Sequence, residues 1–182
     1  MLTPTAPLAA QTGATLESFR PARSPADAFG VNGGDPGEHL ELNLQLYLDY
    51  ANDPLVYEDV SGDADSELVA LVSDQLTMHA LASLGLYDAA MLFIGLPLNL
   101  VMSGEALGEQ PTATGFGAGD LLLGGRLALY QSATAHVAVQ LSVTAPTGEA
   151  GKDGRPAVAG DTGATLSPAV TADVSAGPFS LL

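Results

Sequence analysis

The sequence predicts an all-β protein, an antiparallel up-and-down transmembrane β-barrel of which six to seven strands are present as part of a larger barrel. Three observations lead to this fold class. Apolar and polar residues alternate along six runs, the connections between the runs alternate between long and short, and the polar rows contain no lysine. Because successive side chains of a β-strand point to opposite faces, each run has one apolar and one polar face.

The composition excludes several other classes of protein. The chain of 182 residues has no cysteine, so neither disulfides nor thiolate metal sites are expected. Five Lys and Arg residues against 21 Asp and Glu residues repel phosphate backbones, which argues against a nucleic-acid partner. No run reaches the roughly 18 apolar residues of a membrane-spanning helix, whereas a barrel strand needs only about 9–11 alternating residues.

The chain divides at residue 38 into an irregular N-terminal segment, 1–38, and a partial barrel domain, 39–182. Pro7-Leu8-Ala9-Ala10 resembles the small-residue end of a signal peptide, although the basic region that precedes such an end is absent. An ordinary flexible N-terminus is the alternative. Several prolines and the Asn32-Gly33-Gly34-Asp35 cluster predict irregular structure before residue 39.

The opening run, HLELNLQLYLDY, has leucine at every even position from 40 to 48 and mostly polar residues between them. We expect it to end at Asn52-Asp53-Pro54, because these residue types favour turns. The six runs cover residues 39–50, 68–84, 90–100, 119–130, 135–145 and 164–176, and a seventh begins at residue 179.

The connections between these runs indicate a barrel. Long connections at 51–67, 103–115 and 146–161 alternate with short ones at 85–88, 131–134 and 176–178. Outer-membrane barrels have long external loops and short periplasmic turns, whereas a Greek-key sandwich has no reason to alternate in this way.

The polar rows favour a lumen over an open surface. They consist mainly of Asn, Gln, Ser, Thr, Gly and Ala, whereas charged residues make up about 25–35% of a well-solvated surface. The leucine rows are therefore predicted to face lipid. The candidate pore-lining residues are Glu41, Asn43, Gln45, Asp49, Ser73, Gln75, Thr77, His79, Asn99, Asp120, Arg126, Gln140, Ser142, Thr144 and Asp173.

Charged residues in a closed lumen have two interpretations. Clustered carboxylates would favour cations, and Arg126 would pair with Asp120 or with an acid on a neighbouring strand. Alternatively, these side chains are ordinary polar groups that tie the strands together. The expected partners are outer-membrane lipid and small solutes or cations, with oligomers compatible with the pattern.

Enzymatic and metal-binding alternatives find little support in the pattern. His79 and His136 lie on polar faces with Ser73 and Ser142, but a hydrolytic triad needs hydrogen-bond contacts that strand positions do not establish. The acids of the first long loop, Asp59 to Glu67, lack the spacing of an EF-hand. We therefore expect no enzymatic activity, no catalytic residues, no metal site and no cofactor.

Three phrases of the chain are similar to a known group of proteins. They are LNLQLYLDYANDPLVYE, GDLLLGGRLALY and the following VQLSVTAPTGE. They resemble the N-terminal barrel of OmpA-type outer-membrane proteins and related barrel transporters. The resemblance covers about residues 15 to 182 and implies more strands and often a peptidoglycan-binding domain, so the chain looks like the first part of such a protein.

These observations lead to one expectation and one alternative. We expect a bacterial outer-membrane β-barrel that acts as a pore, a transporter or a structural envelope anchor. The alternative is a secreted or periplasmic soluble β-sandwich that binds a ligand or a partner. The two differ in where the leucine rows lie: against lipid in a barrel, or against a second sheet in a sandwich.

Overall fold

The computed structural model describes residues 19–58, 68–105, 115–148, 163–176 and 179–181. Six long strands and two short ones follow one another without a helix in these ranges. The strands are β1 (Leu42–Glu58), β2 (Leu68–Leu86), β3 (Ala90–Ser103), β4 (Gly117–Ala118), β5 (Leu121–Gln131), β6 (Ala135–Ala145), β7 (Thr165–Ala176) and β8 (Phe179–Leu181).

The described strands form one antiparallel sheet in the order β1-β2-β3-β5-β6-β7-β8, with the short β4 paired to β3. The sheet curls into a half-barrel, which confirms the predicted all-β fold class. The sandwich alternative is wrong as a fold, because these strands join a single sheet and not two sheets packed face to face. No helix in the described ranges has the length and apolarity needed to cross a membrane.

The two faces of the sheet have opposite polarity. Leu42, Leu44, Leu46 and Leu48 of β1 are 65–76% exposed on the outer face. On the inner face of the neighbouring β2, by contrast, the polar side chains of residues 75, 77 and 79 are buried. Apolar side chains that cover the inner face include Leu81, Met91 and Phe93.

Strand β1 is longer than predicted. It continues through Asn52-Asp53-Pro54 to Glu58, with register shifts against β2 around Leu55. Asp53 has a φ of 49°, in the left-handed region that Asp tolerates better than most residues. A local irregularity of this kind accommodates a proline in a strand, and in the described sheet β1 is a terminal strand with one paired side.

The connections alternate in length as predicted. The bounds of the long strands and of β8 leave short connections at 87–89, 132–134 and 177–178 and longer ones at 59–67, 104–120 and 146–164, of which 104–120 contains the short β4. In the first short turn both Tyr87 and Asp88 have positive φ, as in the hairpin turns that match the twist of paired strands. Asp88 also accepts hydrogen bonds from His39 N at 2.6 Å and Gln131 Nε2 at 2.9 Å, which joins three parts of this rim.

Residues 19–38 are irregular apart from one bridge between Ala28 and Val31, as expected from their prolines and glycines. They nevertheless pack against the inner face of the sheet, where Ala22 and Ser24 are almost fully buried. The expected signal remnant lies outside the described residues.

We expect Gly85→Ala to destabilise the folded protein. Gly85 N donates to Glu41 O at 2.9 Å, and the carbonyl oxygen of Glu38 occupies the place of an added Cβ atom. Overpacking of this kind costs about 1–3 kcal/mol. The matched control is Gly95→Ala, whose Cβ would have its nearest contact at 3.5 Å. Urea unfolding followed by circular dichroism measures both variants, and equal midpoints would contradict the steric argument.

Candidate functional site

The predicted pore-lining residues fall into three groups by burial. The buried ones are Gln75, Thr77, His79, Asn99, Asp120, Arg126, Gln140, Ser142 and Asp173. The half-buried ones are Asn43, Gln45, Asp49, Ser73 and Thr144, and Glu41 is exposed. Within each strand these residues lie at every second position, so their side chains point to the same face. Because neighbouring strands pair in register, the buried ones come together on the inner face.

Glu41 lies just before β1, at the rim of the short turns. Its carboxylate accepts a hydrogen bond from Glu38 N at 2.9 Å and another from Asn43 Nδ2 at 3.2 Å. These two bonds, the backbone one foremost, lower the pKa of Glu41 below its usual value. The residue therefore caps the start of the strand and does not belong to the buried part of the inner face.

An amide and hydroxyl network joins β2 to β3 on the inner face. Gln75 Nε2 donates to Thr77 Oγ1 at 3.1 Å and to Asn99 Oδ1 at 3.0 Å, and Thr77 Oγ1 donates to the same oxygen at 2.8 Å. Gln75 Oε1, both side-chain polar atoms of Gln45 and Thr171 Oγ1 have no partner among the described residues. Such groups suit a wet interior, because a buried polar atom without a partner is costly in a dry one.

Arg126 is the most buried charged residue of the inner face. Its two terminal nitrogens donate to the two carboxylate oxygens of Asp27 at 3.0 and 2.7 Å, with both side chains at most 1% exposed. It also donates to Asp35 O at 2.7 Å and to Gln140 Oε1 at 3.2 and 3.3 Å. The predicted partner, Asp120 or an acid on a neighbouring strand, is wrong: the acid comes from the N-terminal segment.

Asp120 and Asp173, two acids of the inner face, accept hydrogen bonds from backbone amides and do not form one cluster. Asp120 accepts a hydrogen bond from Gly148 N at 2.9 Å. Asp173 accepts one from Gly34 N at 2.6 Å and lies 2.8 Å from His136 Nδ1. In the described ranges no group of three His, Asp or Glu residues could hold a metal ion. These contacts favour the interpretation that the charges tie parts of the structure together.

The serines considered for hydrolysis have other partners. Ser142 Oγ donates to Ser167 O at 3.4 Å. Ser73 lies against Ser103 and Asp74, and Asp74 in turn accepts a hydrogen bond from the exposed Tyr50 hydroxyl at 2.5 Å. Asp74 thus belongs to the outer side of the sheet. Neither serine is placed by these contacts as a nucleophile beside a histidine base.

Aromatic rings join the N-terminal segment to β1 and β2. The ring of Phe19 lies 6.1 Å from that of Tyr47 and 5.5 Å from that of His79, both edge to face. Phe29 contacts the same Tyr47 ring at 5.8 Å. Sequence reasoning missed this cluster and Asp27, because residues 19–38 show no strand periodicity that would assign them to a face.

A cavity of about 170 Å³ remains between the segment and the inner face. Arg20 and Arg23 line it on the segment side, and the amide network of Gln75 and Asn99 lines it from the sheet. The acidic loop considered for calcium, from Asp59 to Glu67, lies outside the described residues.

Comparison with known proteins places this sheet in a family. No curated protein matches the chain, and no solved structure does. The model of the family described as "Putative MetA-pathway of phenol degradation" matches residues 40–181, which is most of the chain and all of the described sheet. The resemblance to OmpA-type proteins is therefore wrong at the level of the family, although the half-barrel remains compatible with a barrel. The chain belongs to the family of the putative MetA-pathway of phenol degradation.

Proposed function

We propose that this protein forms part of the wall of a β-barrel in a bacterial outer membrane, and that its polar inner face lines a passage for small solutes. The observation that carries this proposal is the reversed polarity of the sheet. Leucines of β1 are 65–76% exposed, while Gln75, Thr77 and Asn99 are at most 5% exposed. A water-soluble protein rarely leaves so large an apolar surface uncovered, whereas a lipid-facing band requires it.

The outer apolar surface extends beyond β1. Besides the leucines of β1, large exposed apolar residues come from β3, β5, β6 and β7. They include Leu92, Ile94, Leu123, Leu127, Leu129, Leu141, Leu166 and Val170. Hydrocarbon tails would cover this surface without a second protein layer.

Aromatic side chains lie near both ends of the strands. Tyr87 and Tyr130 are exposed at the rim of the short turns, where the ring of Tyr87 stacks on that of His39 at 4.9 Å. Tyr50 and Phe116 are exposed towards the other rim. Tyrosine, whose ring is apolar in the body and polar at the tip, favours the two interfaces of a bilayer, and girdles of aromatic residues lie there in outer-membrane barrels.

We propose no enzymatic role, because the inner serines and histidines already hold other parts of the structure. The hydrogen bond between His136 and Asp173 supports Gly34, and Ser142 donates to a backbone oxygen. The family description concerns phenol degradation, so small compounds of such a pathway are proposed as cargo. Cations are a weaker candidate, because Asp120 and Asp173 accept hydrogen bonds from backbone amides and Asp173 also lies 2.8 Å from His136 Nδ1.

The test of this proposal is insertion into membranes. Purified protein is diluted from denaturant into phospholipid vesicles, and the vesicles are separated by flotation and treated with protease. We expect the protein to float with the vesicles and its strands to resist digestion, because the outer leucines are covered by lipid. A monodisperse monomer that stays folded without detergent and does not float would contradict the proposal.

A further inference from the structure

We propose that residues 19–38 form a plug that closes the passage along the inner face, and that the contact between Arg126 and Asp27 holds the plug in place. The inference rests on the proposed function, since a plug requires a passage to close. It goes beyond the family assignment, because the family model matches from residue 40 and leaves these residues out.

The first support is the ion pair itself. Arg126 of β5 and Asp27 of the plug meet through two parallel hydrogen bonds of 3.0 and 2.7 Å, a geometry that fixes orientation as well as distance. The Asp27 carboxylate also accepts hydrogen bonds from Gly33 N at 2.9 Å and Ser24 N at 3.2 Å. The Asp27 carboxylate thus binds two backbone amides within the plug and also binds Arg126 of the sheet.

A second anchor lies on β6 and β7. Asp173 accepts a hydrogen bond from Gly34 N at 2.6 Å and holds His136 at 2.8 Å. A Cβ atom at Gly34 would lie 2.8 Å from the carbonyl carbon and oxygen of His136. The plug therefore approaches the backbone of β6 as closely as a glycine permits.

A third anchor lies on β1, β2 and β3. Phe19 and Phe29 contact the ring of Tyr47 on β1, and Phe19 also contacts the ring of His79 on β2. The guanidinium of Arg23 lies 5.8 Å from the centre of the Phe93 ring on β3. The plug is thus attached to six successive long strands of the sheet, in contrast to a tail that touches the wall at one point.

The plug lies opposite the amide network of the inner face. A cavity of about 170 Å³ separates them, with Arg20 and Arg23 of the plug on one side and Gln75 and Asn99 of the sheet on the other. In this position the plug obstructs the passage along the inner face. Displacing the plug would expose the amide network of Gln75 and Asn99 to a continuous aqueous path.

The test compares two glycines of the plug. Gly34→Ala places a methyl group against the backbone of His136, whereas Gly30→Ala meets its nearest atom at 3.7 Å, an ordinary contact. Each change is combined with Ala22→Cys, which adds a thiol at a position 1% exposed in a chain without cysteine. In vesicles, the rate of thiol modification by a membrane-impermeant maleimide shows whether the plug has left its position. The rate at which a small sugar leaves the vesicles shows whether the passage is open.

We expect Gly34→Ala to raise both rates by about tenfold, the ratio that corresponds to a modest overpacking cost, while Gly30→Ala matches the parent protein. Asp27→Asn, which keeps the shape of the side chain and removes its charge, should act in the same direction. Faster labelling of Gly34→Ala with unchanged efflux would overturn the plug. Labelling of both Gly34→Ala and Asp27→Asn at the rate of the parent protein would overturn it as well. Failure of every variant to enter vesicles would instead overturn the proposed function.

Discussion

Replacing Leu46 with arginine is expected to weaken folding into a lipid bilayer by about 2–4 kcal/mol, the cost of a cation facing lipid at mid-depth. Leu46 is 73% exposed and lies within the row of outer leucines of β1. The outward position leaves the cation no polar lumen to enter. Urea titration of the vesicle-folded protein, with tyrosine fluorescence as the signal, measures the free energy of folding.

The matched control is Leu42→Arg on the same face of the same strand. Leu42 pairs with Leu84 near the short-turn rim, and four residues of extended chain separate it from Leu46 by about 13 Å. Near the interface the expected cost falls to about 0–1 kcal/mol. Equal and small effects at both positions, within about 0.5 kcal/mol, are what a water-exposed surface would give, and they would contradict a lipid-facing band.

Replacing Arg126 with methionine is expected to destabilise the folded protein by about 3–5 kcal/mol, the usual cost of leaving one member of a buried ion pair alone. The change leaves the carboxylate of Asp27 buried and removes the donors to Asp35 O and Gln140 Oε1. Most of the cost arises from uncompensated charge and unpaired oxygens, not from lost packing.

Two further variants separate these causes. Arg126→Met combined with Asp27→Leu removes both charges and should recover a large part of the lost stability. Arg20→Met removes a cation of the same type at an exposed position and should change stability by no more than about 0.5 kcal/mol. Urea unfolding of all three measures the differences, and a single Arg126 variant as stable as the Arg20 variant would show that the pair is unimportant.

The faces of the sheet were predictable because strand periodicity is a local property. Alternation along HLELNLQLYLDY assigns Leu44 and Gln45 to opposite faces without any knowledge of the partner strand. The composition of the polar rows then identified the face that is buried. The length of β1 was not predictable, because Asn-Asp-Pro ordinarily marks a turn and the irregularity that absorbs it depends on pairing with β2.

The role of residues 19–38 was beyond the reach of sequence patterns. Arg126 and Asp27 are separated by 99 positions, and no periodicity connects an irregular segment to a particular strand. The inner position of Arg126 did imply a partner, since a buried guanidinium needs an acid. Among the predicted strands Asp120 is the acid nearest to Arg126 in sequence, whereas its actual partner, Asp27, lies in a segment without strand periodicity.

The family resemblance erred for a related reason. Short phrases such as GDLLLGGRLALY reflect strand alternation and the glycines of closely packed strands, which many barrel families share. They identify an architecture and not a lineage. The match over residues 40–181 spans all of the described strands, and it separates this family from OmpA-type proteins.

The terminal position of β1 has a consequence for hydrogen exchange. Within the described sheet this strand of 17 residues pairs only with β2, so about every second amide points away from the sheet. In water those amides exchange freely. In hydrocarbon each would cost several kcal/mol unless another strand accepted its hydrogen, so protection along this side in vesicles would reveal a neighbouring strand.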